Sequence, residues 1–124
     1  MLYLDNSATT RVHPEVFQAM RPFLEEEYGN PSSKYYSLAE NAKNAVKRAR
    51  EHVARLLGCS PEEIVFTSGA TESNNFIIKG VADFYRDRGN HIITSSVEHP
   101  SVLETCRFLA ERGYKITYLN VDRF

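Results

Sequence analysis

Apolar residues recur along this chain at two different periods, and the change of period marks its elements. Residues Met1 to His13 form an arm that begins as apolar–polar alternation and dissolves into small polar residues. From Pro14 onward Val16, Phe17, Met20, Phe23 and Leu24 share one face at helical spacing. Pro14 suits a first helical turn, and Pro22 is expected to weaken or kink the helix. The turn-rich stretch YGNPSS reads as a loop. A long helix follows, with Ser37 and Glu40 spaced as a capping box and a buried stripe of Leu38, Ala42, Ala45, Ala49, Val53 and Leu56. Gly58 stands where a helix usually stops.

Beyond Gly58 the period alternates between strand and helix. EIVFT reads as a short strand, then Thr71 to about Asp87 as a helix with Ile77, Val81 and Phe84 turned inward, ended by Gly89. HIITSS is a second strand, Pro100 to Arg112 a helix ended by Gly113, and KITYLNV a third strand. Strands alternating with helices predict an α/β fold with a doubly wound, mainly parallel sheet behind an N-terminal arm and helices. A compact sheet of three consecutive strands is the alternative arrangement.

At 124 residues the chain has the length of one domain. Its 42% hydrophobic and 25% charged residues describe an ordinary soluble protein. The net charge of −1, with Lys and Arg scattered, argues against nucleic acid as the main partner. No apolar run approaches a bilayer span, and MLYLDNSATT lacks the features of a secretory signal, so no membrane role and a cytoplasmic address are expected. Cys59 and Cys106 have neither paired spacing nor histidine companions for a metal, and each reads as a small packed side chain.

Two junctions carry candidate chemistry, both at carboxyl ends of predicted strands, where open α/β sheets bind ligands. In VFTSGATESNN, Gly69 lets a ligand approach the backbone, and the amides of Ala70, Thr71 and Glu72 are helix-start donors. A phosphate placed there gains those donors, the Thr71 hydroxyl and the helix dipole. The plainer alternative is that Ser68 or Thr71 only caps the helix. The turn is neither a Walker loop nor a dinucleotide fingerprint. In SSVEHPSVLET, His99 precedes Pro100 and the helix start. It reads either as a cap or as a flat ring stacked on an aromatic cofactor.

Together YLDNSATT, YGNPSS, FTSGATESNN and SVEHPSVLET resemble the NifS/IscS-type cysteine desulfurases of the class V aminotransferase family, which are pyridoxal 5'-phosphate (PLP) enzymes of fold type I. The resemblance runs over essentially the whole chain. It implies that Ala70 and Thr71 hold the PLP phosphate, that His99 stacks on its ring, and that Ala8 and Thr9 belong to the substrate entrance. It also implies L-cysteine as substrate, alanine as product, an enzyme persulfide, and a sulfur acceptor or scaffold protein as partner. Residues 1–60 then correspond to the arm and helices of the small domain and dimer-contact region. Residues 61–124 correspond to the first three strands and two intervening helices of the PLP-binding large domain.

Departures from the family pattern are equally informative. A histidine common in the family's YGNPSS loop is replaced by Tyr35. None of Lys34, Lys43, Lys47, Lys79 or Lys115 stands in the setting of the family's cofactor-carrying lysine, and neither cysteine matches the sulfur-accepting one. The resemblance therefore implies the N-terminal portion of a longer enzyme, inactive alone, acting as a homodimer or with a complementing C-terminal polypeptide. Another class V enzyme such as a selenocysteine lyase, or a non-catalytic interaction module of this ancestry, is the alternative. In the family's sheet order EIVFT lies away from the next two strands, so its backbone is expected to lack partners in this chain.

Overall fold

A computed structural model describes residues 2–122; Met1, Arg123 and Phe124, at the ends of the arm and of the last segment, lie outside the described residues. The chain divides into two compact units, one ending at Val65 and one beginning at Phe66.

In the first unit, helix α1 spans Pro14–Glu25 and helix α2 spans Ser37–Leu57, with a 3-10 turn at Pro61–Glu63. His13 starts α1 by accepting the Glu15 N–H at Nδ1, and Pro14 occupies the first turn, where its missing donor costs nothing. Pro22 lies inside the helix, which ends three residues later; the Glu26 and Glu27 amides both close onto the Pro22 carbonyl. The predicted apolar face of α1 is formed but uncovered, with Val16, Phe17, Met20, Phe23 and Leu24 all exposed.

Helix α2 differs from expectation at its start. The helix cap is Tyr36 rather than Ser37, and Ser37 is already helical, so the expected Ser37–Glu40 capping box does not form. A reciprocal arrangement of that kind appears instead at Ser60, whose N–H donates to the Glu63 carboxylate at 2.8 Å. Ala39, Ala42 and Ala54 are the buried residues of α2, while Leu38, Ala45 and Val53 are half-buried. Ala49 and Leu56, placed in the stripe by periodicity, are exposed, Leu56 by 84%. Gly58 closes the helix at φ 70°, ψ 33°, with the Cys59 N–H returning to the Ala54 carbonyl. Arg50 Nε donates to the Ile64 carbonyl at 3.1 Å and fastens the chain leaving the 3-10 turn against α2.

The second unit contains helix α3 (Ala70–Phe84), strand β1 (His91–Ser95), helix α4 (Pro100–Ala110) and strand β2 (Lys115–Leu119). Strands β1 and β2 pair in parallel, His91 opposite Lys115 through Ser95 opposite Leu119, with α4 as the crossover between them. Helix α3 packs on α4 around Ala82, Ser101, Thr105, Cys106 and Leu109, all buried. Tyr114 reaches from the start of β2 to donate its hydroxyl to the Ala82 carbonyl at 2.7 Å.

The expected three strands become two. Ile64 to Thr67 joins no sheet among the described residues, and Val65 is 57% exposed. Its sequence has strand character, but a strand exists only where a neighbour completes its hydrogen-bond ladder, and β1 and β2 pair with each other. The same absence corrects the expected inner face of α3: Ile77, Val81 and Phe84 are exposed, Phe84 by 79%, and Ala82 is the buried residue. The face that finds α4 is the one carrying Asn74, Ile78 and Ala82. A parallel sheet is ordinarily covered on both faces; here the apolar side of α3 and the outer residue Ile93 are open.

Candidate functional site

The start of α3 is built by a run of hydroxyl and carboxylate contacts. Thr67 Oγ1 and Ser73 Oγ lie 2.7 Å apart, and the Ser73 N–H and hydroxyl both donate to the Gly69 carbonyl. The Glu72 carboxylate turns back to accept the Ser68 N–H at 2.6 Å. That donor holds the Glu72 carboxyl below the usual carboxylate range. Gly69 adopts φ 158°, ψ −179°, a backbone state that L side chains rarely enter, and it provides no side chain to cap the helix.

Neither Ser68 nor Thr71 caps α3 through its side chain. The first amide bonded back into the turn is that of Ser73. The N–H groups of Ala70, Thr71 and Glu72 are left as outward donors at the positive end of a four-turn helix.

At the head of α4, His99 is the cap residue. Its Nδ1 accepts the Ser101 N–H at 3.1 Å and lies 2.8 Å from Ser101 Oγ. Ser101 Oγ in turn receives the Asn74 side-chain amide at 2.9 Å, and Thr105 Oγ1 donates to the Ser101 carbonyl at 2.7 Å. His99 is thus a cap, as one sequence reading had it, and also part of a cleft.

That cleft has a volume of about 490 Å³ and lies along the α3–α4 seam, with Thr71 and His99 both on its wall. Asn75, Lys79 and Glu104 also line it. Glu104 is engaged by Arg107 at 2.6 Å. Lys79 sits over the Phe108 ring at 4.4 Å, with Arg112 also stacked on that ring. The fold therefore brings Thr71 and His99 to one cleft, with Ala70 next to Thr71 as the first residue of α3. Ala8 and Thr9 lie in the other unit, in a turn where both amides bond to the Asp5 carbonyl and Thr9 Oγ1 meets the Tyr3 hydroxyl at 2.6 Å.

Asn74 and Ser101 were not singled out by sequence. The available signal was an Asn-Asn pair one helical turn beyond Thr71, on the face that periodicity would fill with apolar residues. Cys106 is 1% exposed in the α3–α4 seam, and burial pushes its thiol up, away from the reactive thiolate. No cluster of three metal-ligating side chains occurs among the described residues, and no helix there is long and apolar enough to cross a membrane.

The aminotransferase class-V family profile matches residues 2–124. The chain belongs to that family. Within it, the chain is 52% identical to a cysteine desulfurase IscS of Dictyoglomus turgidum over 122 residues, 98% of this chain and 31% of the relative. It is 51% identical to the cysteine desulfurase of Homo sapiens over 98% of this chain and 27% of the relative. Among solved structures, a NifS-like protein superimposes with a TM-score of 0.87 at 47% identity, covering 95% of this chain and 32% of that one. A structure described as SspA in complex with cysteine follows at 0.84 and 48% identity, covering 94% and 33%. The chain thus spans about 30% of the length of the desulfurases it matches and carries part of their α/β domain of fold type I.

Proposed function

We propose that this class V chain is the N-terminal, cofactor-orienting portion of a PLP-dependent cysteine desulfurase. The observation that carries the reading is that Thr71, at the start of α3 where no side chain caps the helix, and His99 line one cleft. A phosphate dianion suits that donor set of three N–H groups, one hydroxyl and a helix dipole, while the Glu72 carboxylate is turned back onto the Ser68 N–H. Ala70 and Thr71 would hold the phosphate, and His99 would lie against the ring. When bound, PLP supplies an electron sink for bonds at the α-carbon of an amino acid. The residues of this chain orient and shield; no lysine stands in the family's setting, Cys106 is buried, and the half-buried Cys59 lies in the other unit just beyond α2.

Cysteine is the favoured substrate because the matched relatives are named cysteine desulfurases and one solved relative is described in complex with cysteine. Ala8 and Thr9 belong to the substrate side in this reading. The remaining functions fall to further polypeptide, with a homodimer or a complementing C-terminal part completing the site and a sulfur acceptor or scaffold protein taking the product. A cytoplasmic setting goes with the IscS relatives, although the Drosophila melanogaster relative is named mitochondrial.

The reading is tested by titrating the chain with PLP under absorbance and phosphorus NMR. Saturable binding, weakened by Thr71→Val and by His99→Ala, is expected, without the absorbance band of a lysine-linked cofactor. Such a band, abolished by replacing one particular lysine, would refute the division of labour. Binding indifferent to both substitutions would refute the site.

A further inference from the structure

We propose that Asn74 and Ser101 are positioning residues that fix which nitrogen of His99 carries its proton. The geometry is a directed relay. The Ser101 backbone N–H donates to His99 Nδ1, so Nδ1 of the neutral ring is an acceptor and the proton sits on Nε2. The Ser101 hydroxyl, 2.8 Å from the same nitrogen, then has one consistent role, which is to donate to it as well. That requires its oxygen lone pairs to face another donor, and the Asn74 amide supplies one at 2.9 Å. Asn74 therefore holds Ser101, Ser101 holds Nδ1, and the ring presents Nε2–H as its unpaired end. Ser101 is buried and Asn74 half-buried, which shelters their mutual bond, while the His99 ring itself is exposed.

The inference deepens the proposed function and rests on it for its use. A ring locked in one tautomer and one tilt can donate a proton or hydrogen bond from Nε2 at the cofactor site without first reorganising. The Ser101 hydroxyl and Asn74 add to the backbone N–H that already makes Nδ1 an acceptor, and so hold the ring's tilt as well as its tautomer. The Asn74–Ser101 bond joins the two helices here: Asn74 belongs to α3, which carries the proposed phosphate cup, and Ser101 to α4, which carries the ring. The relay thus sets the ring relative to the cup.

The test uses the whole ¹⁵N-labelled chain without cofactor, in alkaline buffer with the ring neutral. Long-range proton–nitrogen correlation reports both ring nitrogens of His99, assigned by their loss in His99→Gln. The expected pattern is a protonated Nε2 and an unprotonated, doubly hydrogen-bonded Nδ1. Ser101→Ala should move the Nδ1 resonance towards that of an unbonded ring nitrogen, Asn74→Ala should move it the same way by less, and Ser101→Thr should keep the original position. Circular dichroism confirms that each variant remains folded, and Ser101→Thr guards against a packing effect. A proton on Nδ1 in the unmodified chain, or equal signals in Ser101→Ala and Ser101→Thr, would overturn the relay. PLP affinity is read separately. Loss of one hydrogen bond predicts an about 2- to 12-fold weaker affinity for Ser101→Ala, restored in Ser101→Thr. Failure of PLP to bind, with the ring pattern intact, would count against the proposed function and leave the relay standing.

Discussion

Replacing Ala70 by proline would remove one amide from the proposed phosphate cup and almost nothing else. Ala70 is the first residue of α3, and its N–H has no partner within the helix. Proline is favoured at a first helical position because its fixed φ matches the helix and its missing donor is unsatisfied there in any case. The residue before proline must be extended, and Gly69, with ψ −179°, already is. Helix α3 should therefore form as before, with its thermal transition unmoved. Binding should respond differently. An amide–phosphate hydrogen bond is charge-assisted, and such bonds contribute about 1.5–3 kcal/mol, or about 10- to 150-fold in affinity. Titration with PLP, and separately with inorganic phosphate, measures that loss, while circular dichroism monitors the helix. Unchanged binding of both ligands in a folded Ala70→Pro chain would remove the α3 amides from the mechanism. Loss of the helix together with binding would refute the premise that this donor is idle in the unbound fold.

Four further outcomes follow from the packing and charge. At Gly29 an added Cβ would lie 2.1 Å from the Leu38 carbonyl oxygen, so Gly29→Ala should destabilise the first unit by about 1–3 kcal/mol in urea titration. Leu109 is buried where α4 meets the second unit's core, and Leu109→Ala should cost about 2–5 kcal/mol there by the same measurement. Glu72 is held below its ordinary range by the Ser68 N–H, so its contribution to the turn is complete above the unfolded-state value and lost as pH falls through the lower folded value. Acid titration followed by the Ser68 amide resonance should show that loss, and Glu72→Gln should abolish the dependence. Because α1 and α3 leave apolar faces open and a two-stranded sheet has two free edges, the isolated chain should associate with rising concentration, which light scattering behind size exclusion would detect. A well-behaved monomer at every concentration would contradict this.

What could be read from sequence divides along a physical line. Helices α1 to α4 and strands β1 and β2 were legible because each has its own period and its own end signals, such as Pro14, Gly58, Pro100 and Gly113. The two ligand-side junctions were legible because a glycine before a helix start, and a histidine before a proline, are local arrangements. Illegible were the features decided by partners distant in the chain. EIVFT has strand composition, yet its ladder depends on a neighbour, and none pairs with it. The apolar stripe of α3 was identified by period, but burial went to the face that α4 reaches. The start of α2 was misread because serine and glutamate at the right spacing formed a plausible cap, whereas Ser37 is already the first helical residue and the cap is the extended Tyr36.

The polar seam between α3 and α4 bears on function more than on stability. Two helices need only interdigitating apolar side chains to pack, and burying an amide and a hydroxyl costs free energy unless both are fully bonded. Here they are: Asn74, Ser101, Thr105 and His99 satisfy one another, and no buried side-chain polar atom among the described residues is left without a partner. Such a network tolerates few alternative registers, because a small slip of α4 along α3 would strand its donors at once. Apolar packing alone would permit the slip. The proposed phosphate cup at the head of α3 and the ring at the head of α4 must keep a fixed separation if one ligand is to touch both. A seam that penalises sliding is what that requirement demands, and the sequence places it one helical turn from Thr71.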